Sequence, residues 1–189
     1  MFEDRCEAGN LLAERLTGSK ASFDVVLAIP RGGVVVGRVI ADKLHLPLYA
    51  MVVKKVPTAG QPELAAGAVG PEGVSSGEKS SEIEKIVGER IKKFGQLKNL
   101  RGKSVLLVDD GIATGATVET AIKYLKKKNV GSITLAIPVA PGDIIDKIRK
   151  EIDSVIFLVK PREFYAVGDF YRCFPQVTDE EVLQLLQND

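Results

Sequence analysis

Two adjacent carboxylates, Asp109 and Asp110, stand between an apolar run, Val105-Leu106-Leu107-Val108, and a turn of small and hydroxyl-bearing residues, Gly111-Ile112-Ala113-Thr114-Gly115-Ala116-Thr117. The apolar run reads as a buried strand and the residues from Thr117 onward as a helix. In parallel α/β folds ligands bind at the carboxyl ends of strands, which is where this order delivers the acid pair. Backbone N–H groups at a helix start, approached closely because the neighbouring side chains are small, cradle an anion. Thr114 and Thr117 add hydroxyl donors. A phosphate therefore fits Gly111–Thr117, while Asp109 and Asp110 can accept hydrogen bonds from sugar hydroxyls or hold Mg2+.

A second candidate follows another apolar run, Val25–Ile29. In Ala28-Ile29-Pro30-Arg31-Gly32-Gly33 the two glycines let the backbone approach an anion and Arg31 offers a guanidinium. Lys54 and Lys55 close a further strand candidate, Leu48–Val53, and place two cations at its end by chain order. Other chemistries are excluded by the residue inventory. His45 is the only histidine and reads as a surface or helix-end residue, so a Ser-His-Asp arrangement lacks support and a histidine-rich metal site is ruled out. Cys6 and Cys173 are far apart and lack the spacing of a zinc site or a disulfide scaffold. The glycine fingerprints of dinucleotide folds and of P-loops are both missing.

These residues need elements to hold them, and the chain alternates in type. Residues 5–17 form an amphipathic helix pattern, Val25–Ile29 a wholly apolar strand, and Val34–Leu44 a second helix. Leu48–Val53 is a strand candidate, Ser81–Leu97 a charged amphipathic helix, Ser104–Val108 a strand and Thr117–Lys128 a helix. Ile133–Val139, Asp143–Lys150, Val155–Val159 and Asp179–Gln187 continue as strand, helix, strand and helix. Apolar strands alternating with helices predict an α/β fold, a parallel sheet of about five strands covered on both faces. Residues 57–80 hold Pro57, Gly60, Pro62, Gly67, Gly70, Pro71, Gly73 and Gly77, and read as one long irregular segment.

A chain of 189 residues suits one domain. With 26 basic and 25 acidic residues the net charge is +1, so no global basic field recruits nucleic acid or an anionic membrane. No apolar run approaches the ~20 residues that span a bilayer, and the polar start Met-Phe-Glu-Asp-Arg-Cys-Glu is unlike a secretory signal. With only two unpaired cysteines, a reducing cytoplasmic location is expected.

The run from Val105 to Thr117 resembles the signature of the type I phosphoribosyltransferases: a hydrophobic strand, two acidic residues, two or three variable residues, Thr-Gly, one variable residue and Thr or Ser. The resemblance implies that the chain binds 5-phosphoribosyl-1-pyrophosphate (PRPP) with Mg2+, the 5′-phosphate lying in Gly111, Ile112, Ala113, Thr114, Gly115, Ala116 and Thr117. It implies pyrophosphate binding by Pro30, Arg31, Gly32 and Gly33 with Lys54 or Lys55, and a cis peptide at Pro30–Arg31. Asp109, Asp110 and Arg31 become the expected catalytic residues, with metal contact by the two aspartates running mostly through PRPP and water. Residues 57–80 match the position of the family's flexible loop, the core being 20–160 and the hood 1–18 with 160–189.

Pro62-Glu63-Leu64-Ala65 also resembles a prokaryotic subgroup of predicted phosphoribosyltransferases with unassigned acceptor. The resemblance points to a nucleobase or other nitrogenous acceptor held by Phe164, Tyr165, Val167, Gly168, Asp169, Phe170 and Tyr171. That tail is similar to 6-oxopurine enzymes, yet Ala113 stands where they usually carry an aspartate base. A non-catalytic PRPP-sensing regulator with the same fold is the alternative, and relatives commonly form homodimers.

Overall fold

A computed structural model describes residues 1–19, 21–58 and 61–187. Five strands, β1 (Val25–Ala28), β2 (Leu48–Ala50), β6 (Ser104–Val108), β7 (Ser132–Val139) and β8 (Ser154–Val159), form one sheet in the order β2-β1-β6-β7-β8. Every pairing in it is parallel. Side chains alternate across its faces with the period of two that a strand imposes. Val26, Ala28, Leu106, Val108 and Ala136 join a core layer with α1 (Arg5–Thr17) and α2 (Gly32–Leu44). Val25, Leu27, Val105, Leu107, Ile133 and Leu135 face the other way, into a layer with α4 (Ala116–Lys127) and α5 (Gly142–Ile148). Both faces are covered, which is why the strands read as unbroken apolar runs.

The helices start and stop where local chemistry requires. Asp4 accepts the amide of Glu7 at the head of α1, and Ser80 does the same for Ile83 at the head of α3 (Ser81–Phe94). His45 ends α2 in the left-handed conformation, exposed, at the helix end expected for it. No helix among the described residues is long and apolar enough to cross a membrane.

The segment 57–80 departs from the irregular expectation. β3 (Lys54–Thr58), β4 (Gln61–Val69) and β5 (Ser75–Gly77) build a separate antiparallel sheet, with Ala59 and Gly60 outside the described residues. The turn-forming residues serve the sheet. Pro57, without an amide donor, sits at the register irregularity of the β3–β4 pair. Gly67 lies where β4 and β5 approach so closely that a Cβ would be 2.4 Å from the Ser76 carbonyl oxygen. Pro62–Ala65, the stretch that resembles the prokaryotic subgroup, lies within β4. The strand candidate Leu48–Val53 also divides: β2 stops at Ala50, and Lys54 and Lys55 open β3 instead of closing β2.

The base of this small sheet is fixed to α4. The Thr120 hydroxyl lies 2.8 Å from the Ala116 carbonyl and 3.4 Å from that of Ala68, and it bonds the Ser76 hydroxyl. Thr120 is fully buried. The chain start pairs with the tail: Phe2 donates its amide to the Phe170 carbonyl at 2.8 Å, and Arg172 donates to that of Phe2 at 2.8 Å. α6 (Asp179–Gln187) closes the chain against α2, with Val182 buried and Asn188–Asp189 outside the described residues.

Thr120→Val keeps the shape but removes the hydroxyl that joins β4, β5 and α4. It is expected to lower the unfolding free energy by about 1–3 kcal/mol, the cost of leaving buried polar partners unmade. Urea denaturation measures the loss, and hydrogen exchange across 66–77 is expected to rise with it.

Candidate active site

The acid pair stands at the carboxyl end of β6, between the ends of β1 and β7. The loop after β1 is drawn onto it: the Ile29 amide donates to the Val108 carbonyl at 2.8 Å. A Cβ on Gly33 would lie 2.9 Å from Asp109 Cα, and one on Gly32 only 1.9 Å from Asp110 Oδ2. Only glycine permits the loop to press against both carboxylates. The Pro30–Arg31 peptide is cis, as the family resemblance implies.

A cavity of about 280 Å³ opens there. Its lining takes Pro30, Arg31 and Gly32 from the loop after β1, Lys54 and Lys55 from β3, and Asp109–Gly115 with Thr117 from the segment after β6. The structure thus brings together segments far apart in the chain. Gly33 stands behind the lining against Asp109, and Ala116 opens α4, giving its carbonyl to Ser76 and Thr120. Gly115 heads α4 with φ +83°. Thr114 Oγ1, on the cavity wall, is buried with no hydrogen-bond partner among the described residues. Buried hydroxyls are normally satisfied, so this one fits a donor aimed at a bound anion.

The two carboxylates have unlike surroundings. Burial, and then the like charge of Asp110, holds the Asp109 carboxyl well above the usual carboxylate range, while the Asp110 amide at 2.9 Å and the Lys55 charge pull it back. Asp110 is paired: Arg5 Nε donates to its Oδ2 at 2.7 Å. The same guanidinium donates to the Pro175 carbonyl at 2.8 Å and lies 3.7 Å from the centroid of the Phe174 ring. Tyr171 donates its hydroxyl to the Asp110 carbonyl at 2.6 Å, and burial pushes that phenol up. Among the described residues no cluster of three or more His, Cys, Asp or Glu could cage a metal. The donor set is two carboxylates, one already engaged by Arg5. That set fits Mg2+ carried in with its own oxygen ligands from substrate and water.

Of the residues expected to hold an acceptor, Val167 alone lines the cavity. Tyr171 is buried against Phe2 and Phe174, at 5.3 and 4.8 Å between ring centroids. Phe164 and Phe170 stack on each other at 5.4 Å. Tyr165 is 84% exposed, Gly168 packs near Phe174, and Asp169 turns its carboxylate back to the Ala166 amide. Two residues escaped the sequence reading. Arg5 lies in a helix noted only for its apolar stripe, and Arg90 of α3 is one cation among many on a charged helix, yet it lines the cavity. Nothing in the sequence singles out either; both depend on tertiary placement.

Residues 5–170 match the family described as the phosphoribosyl transferase domain. A Mycobacterium tuberculosis protein provisionally named a phosphoribosyl transferase is 36% identical over 98% of this chain. The chain spans only 46% of that relative's length. The solved structure of TT1426 from Thermus thermophilus is 34% identical, with a TM-score of 0.76, covering 98% of this chain and 97% of that one. An adenine phosphoribosyltransferase from Thermoanaerobacter pseudethanolicus shares the fold with a TM-score of 0.51 at 18% identity, over 81% of this chain and 77% of that one.

Removing Arg5 leaves Asp110, half-buried, without its ion pair. Arg5→Ala is expected to cost about 1–3 kcal/mol in a denaturant melt, and adding Asp110→Asn to recover part of it. A double variant no more stable than Arg5→Ala contradicts the pairing. For Asp109 the sign is opposite. Its folded-state value lies above the unfolded one, so folding is favoured while the carboxyl is protonated, and that contribution is lost as pH rises through the raised folded value. Asp109→Asn, neutral at every pH, is expected to melt above the parent at about pH 8, the gap closing towards about pH 4. A gap that does not change with pH contradicts this.

Proposed function

Because the chain belongs to the phosphoribosyl transferase domain family, we propose that it transfers the phosphoribosyl group of PRPP to a nitrogenous acceptor, a nucleobase in the first instance, and releases pyrophosphate. The observation that carries this reading is the single cavity joining the Gly111–Thr117 turn, the acid pair and the Arg31 loop. Those parts match the three sectors of PRPP: its 5′-phosphate, its ribose and its pyrophosphate. We take residues 1–189 as one such domain, with β3–β5 as the loop that covers the site and the joined chain ends as the hood.

The turn amides and the Thr114 and Thr117 hydroxyls donate to the 5′-phosphate and fix one end of the substrate. Asp109 and Asp110 accept the ribose hydroxyls. The charge of Asp110, and that of Asp109 once it has given up its proton, also favours the oxocarbenium character that builds at C1 as the bond to pyrophosphate lengthens. Arg31, with Lys54 and Lys55, takes up the charge that accumulates on the leaving pyrophosphate. Asp109 and Asp110 would hold Mg2+, which when bound would supply further neutralisation of that charge. An acceptor ring nitrogen then attacks C1. Ala113 presents a methyl group to the cavity, so no base for the acceptor comes from that position, and neither aspartate is given that role.

The test is pyrophosphate release from PRPP with Mg2+ across adenine, hypoxanthine, guanine, xanthine, uracil and orotate, with a control lacking base. Release that depends on one base is expected, and Asp109→Asn with Asp110→Asn is expected to lower it by about a hundredfold or more. PRPP that binds by calorimetry but turns over with no base favours a PRPP sensor. A double variant with unchanged PRPP binding and turnover removes the assignment of the acid pair.

A further inference from the structure

Three cations converge on one carboxylate beside the cavity. Arg90 Nη2 of α3 lies 3.7 Å, and Arg31 Nη1 4.0 Å, from Oδ1 of Asp179, the first residue of α6. Lys93 Nζ lies 3.5 Å from Oδ2 of the same residue. Asp179 Oδ1 is buried and accepts no hydrogen bond among the described residues. Good charge-assisted N–H···O bonds are about 2.7–2.9 Å long, so both guanidiniums are held by charge without making the short bonds they are capable of. Arg31 and Arg90 line the cavity, whereas Asp179 and Lys93 do not.

We propose that Arg90 is a pyrophosphate-binding residue and that Asp179 is an internal counter-ion which pyrophosphate displaces from Arg31 and Arg90. This rests on the reading of the cavity as a PRPP site. A pyrophosphate carries more charge and far more acceptor oxygens than one carboxylate oxygen, so it satisfies two guanidinium forks that Asp179 reaches only at a distance. Once it is bound, Asp179 would face like charge and loses its hold on both arginines. Lys93, outside the lining, keeps Asp179, and Glu180 shares that lysine at 3.3 Å. The body of α6 stays anchored through buried Val182, so the change is confined to its first turn. The counter-ion keeps two arginines close to each other in the free protein and sets the affinity that pyrophosphate must exceed.

Calorimetry with magnesium pyrophosphate as the probe tests this. Asp179→Asn is expected to bind roughly tenfold more tightly than the parent and Arg90→Ala roughly tenfold more weakly. Lys93→Ala is expected to change affinity by less than about twofold. The gain from Asp179→Asn is expected to shrink in the Arg90→Ala background, because the aspartate acts through that arginine. In the unaltered protein, hydrogen exchange at the first turn of α6 is expected to quicken when pyrophosphate is added. Asp179→Asn with affinity equal to or below the parent overturns the counter-ion role, as does exchange that is unchanged or slower. Arg90→Ala with parental affinity overturns the binding role. In those cases parental pyrophosphate binding shows that the PRPP reading itself stands, and a parent that binds no pyrophosphate overturns both.

Discussion

Placing two carboxylates side by side at the end of a buried strand sets the problem that the surrounding structure answers. Asp109 is 9% exposed and Asp110 follows it directly, so both cannot carry free charge there cheaply. One is neutralised by Arg5, whose guanidinium comes from the first turn of α1 and is held by Pro175 and Phe174 of the tail. The other is relieved by the Asp110 amide and the charge of Lys55, and by a carboxyl group that holds its proton to unusually high pH. A single electrostatic requirement thus ties the chain start, the tail and β3 to the end of β6. The same requirement keeps Gly32 and Gly33 as glycines, since any side chain there would enter the space of the acids.

The rest of the architecture holds this arrangement still. The doubly covered sheet fixes the ends of β1 and β6 in register, Ala28 against Val108, and so fixes the distance between the Arg31 loop and the acid pair. Thr120 and Ser76 fix the β3–β5 sheet to α4, the helix that the Gly111–Thr117 turn leads into. Lys54 and Lys55 are therefore positioned by the same helix that positions Thr114 and Thr117. Tyr171, by donating to the Asp110 carbonyl, locks the tail onto the backbone of the acid pair. An aromatic side chain used in this way is part of the wall behind the site.

Much of this was legible in the sequence because it depends on local order. A buried strand, an acid pair, a small-residue turn and a helix are contiguous, so Val105–Thr117 announced its own structure. The five parallel strands were legible because burial on both faces leaves no polar alternation to confuse the pattern. The sheet made by residues 54–77 was not, because glycine and proline mark turns, bulges and close strand contacts alike, and only tertiary contact separates them. Arg5, Arg90 and Asp179 were invisible for a related reason. Each is a common surface residue by type, and what distinguishes it is a partner more than 80 positions away in the chain. The tail aromatics were read as flat faces for a ligand, but hydrophobicity alone does not say whether a ring faces a cavity or a core.

The charge of the cavity bears on what it can hold. Arg31, Lys54, Lys55 and Arg90 line it together with Asp109 and Asp110, and Arg5 cancels one of the acids from outside the lining. The chain as a whole carries only +1, so this excess is local segregation and acts at short range. Were Asp110 unpaired, two neighbouring carboxylates would repel an anion from the cavity. With Arg5 in place the site remains attractive to the anion while keeping acceptor oxygens for hydroxyl groups. A site so balanced gains little from a built-in metal cage, which would need more carboxylates and would reverse the local sign. On the proposed reading, a divalent cation arriving with its anion avoids that conflict, since among the described residues no cluster of three or more carboxylate, histidine or cysteine side chains could cage one.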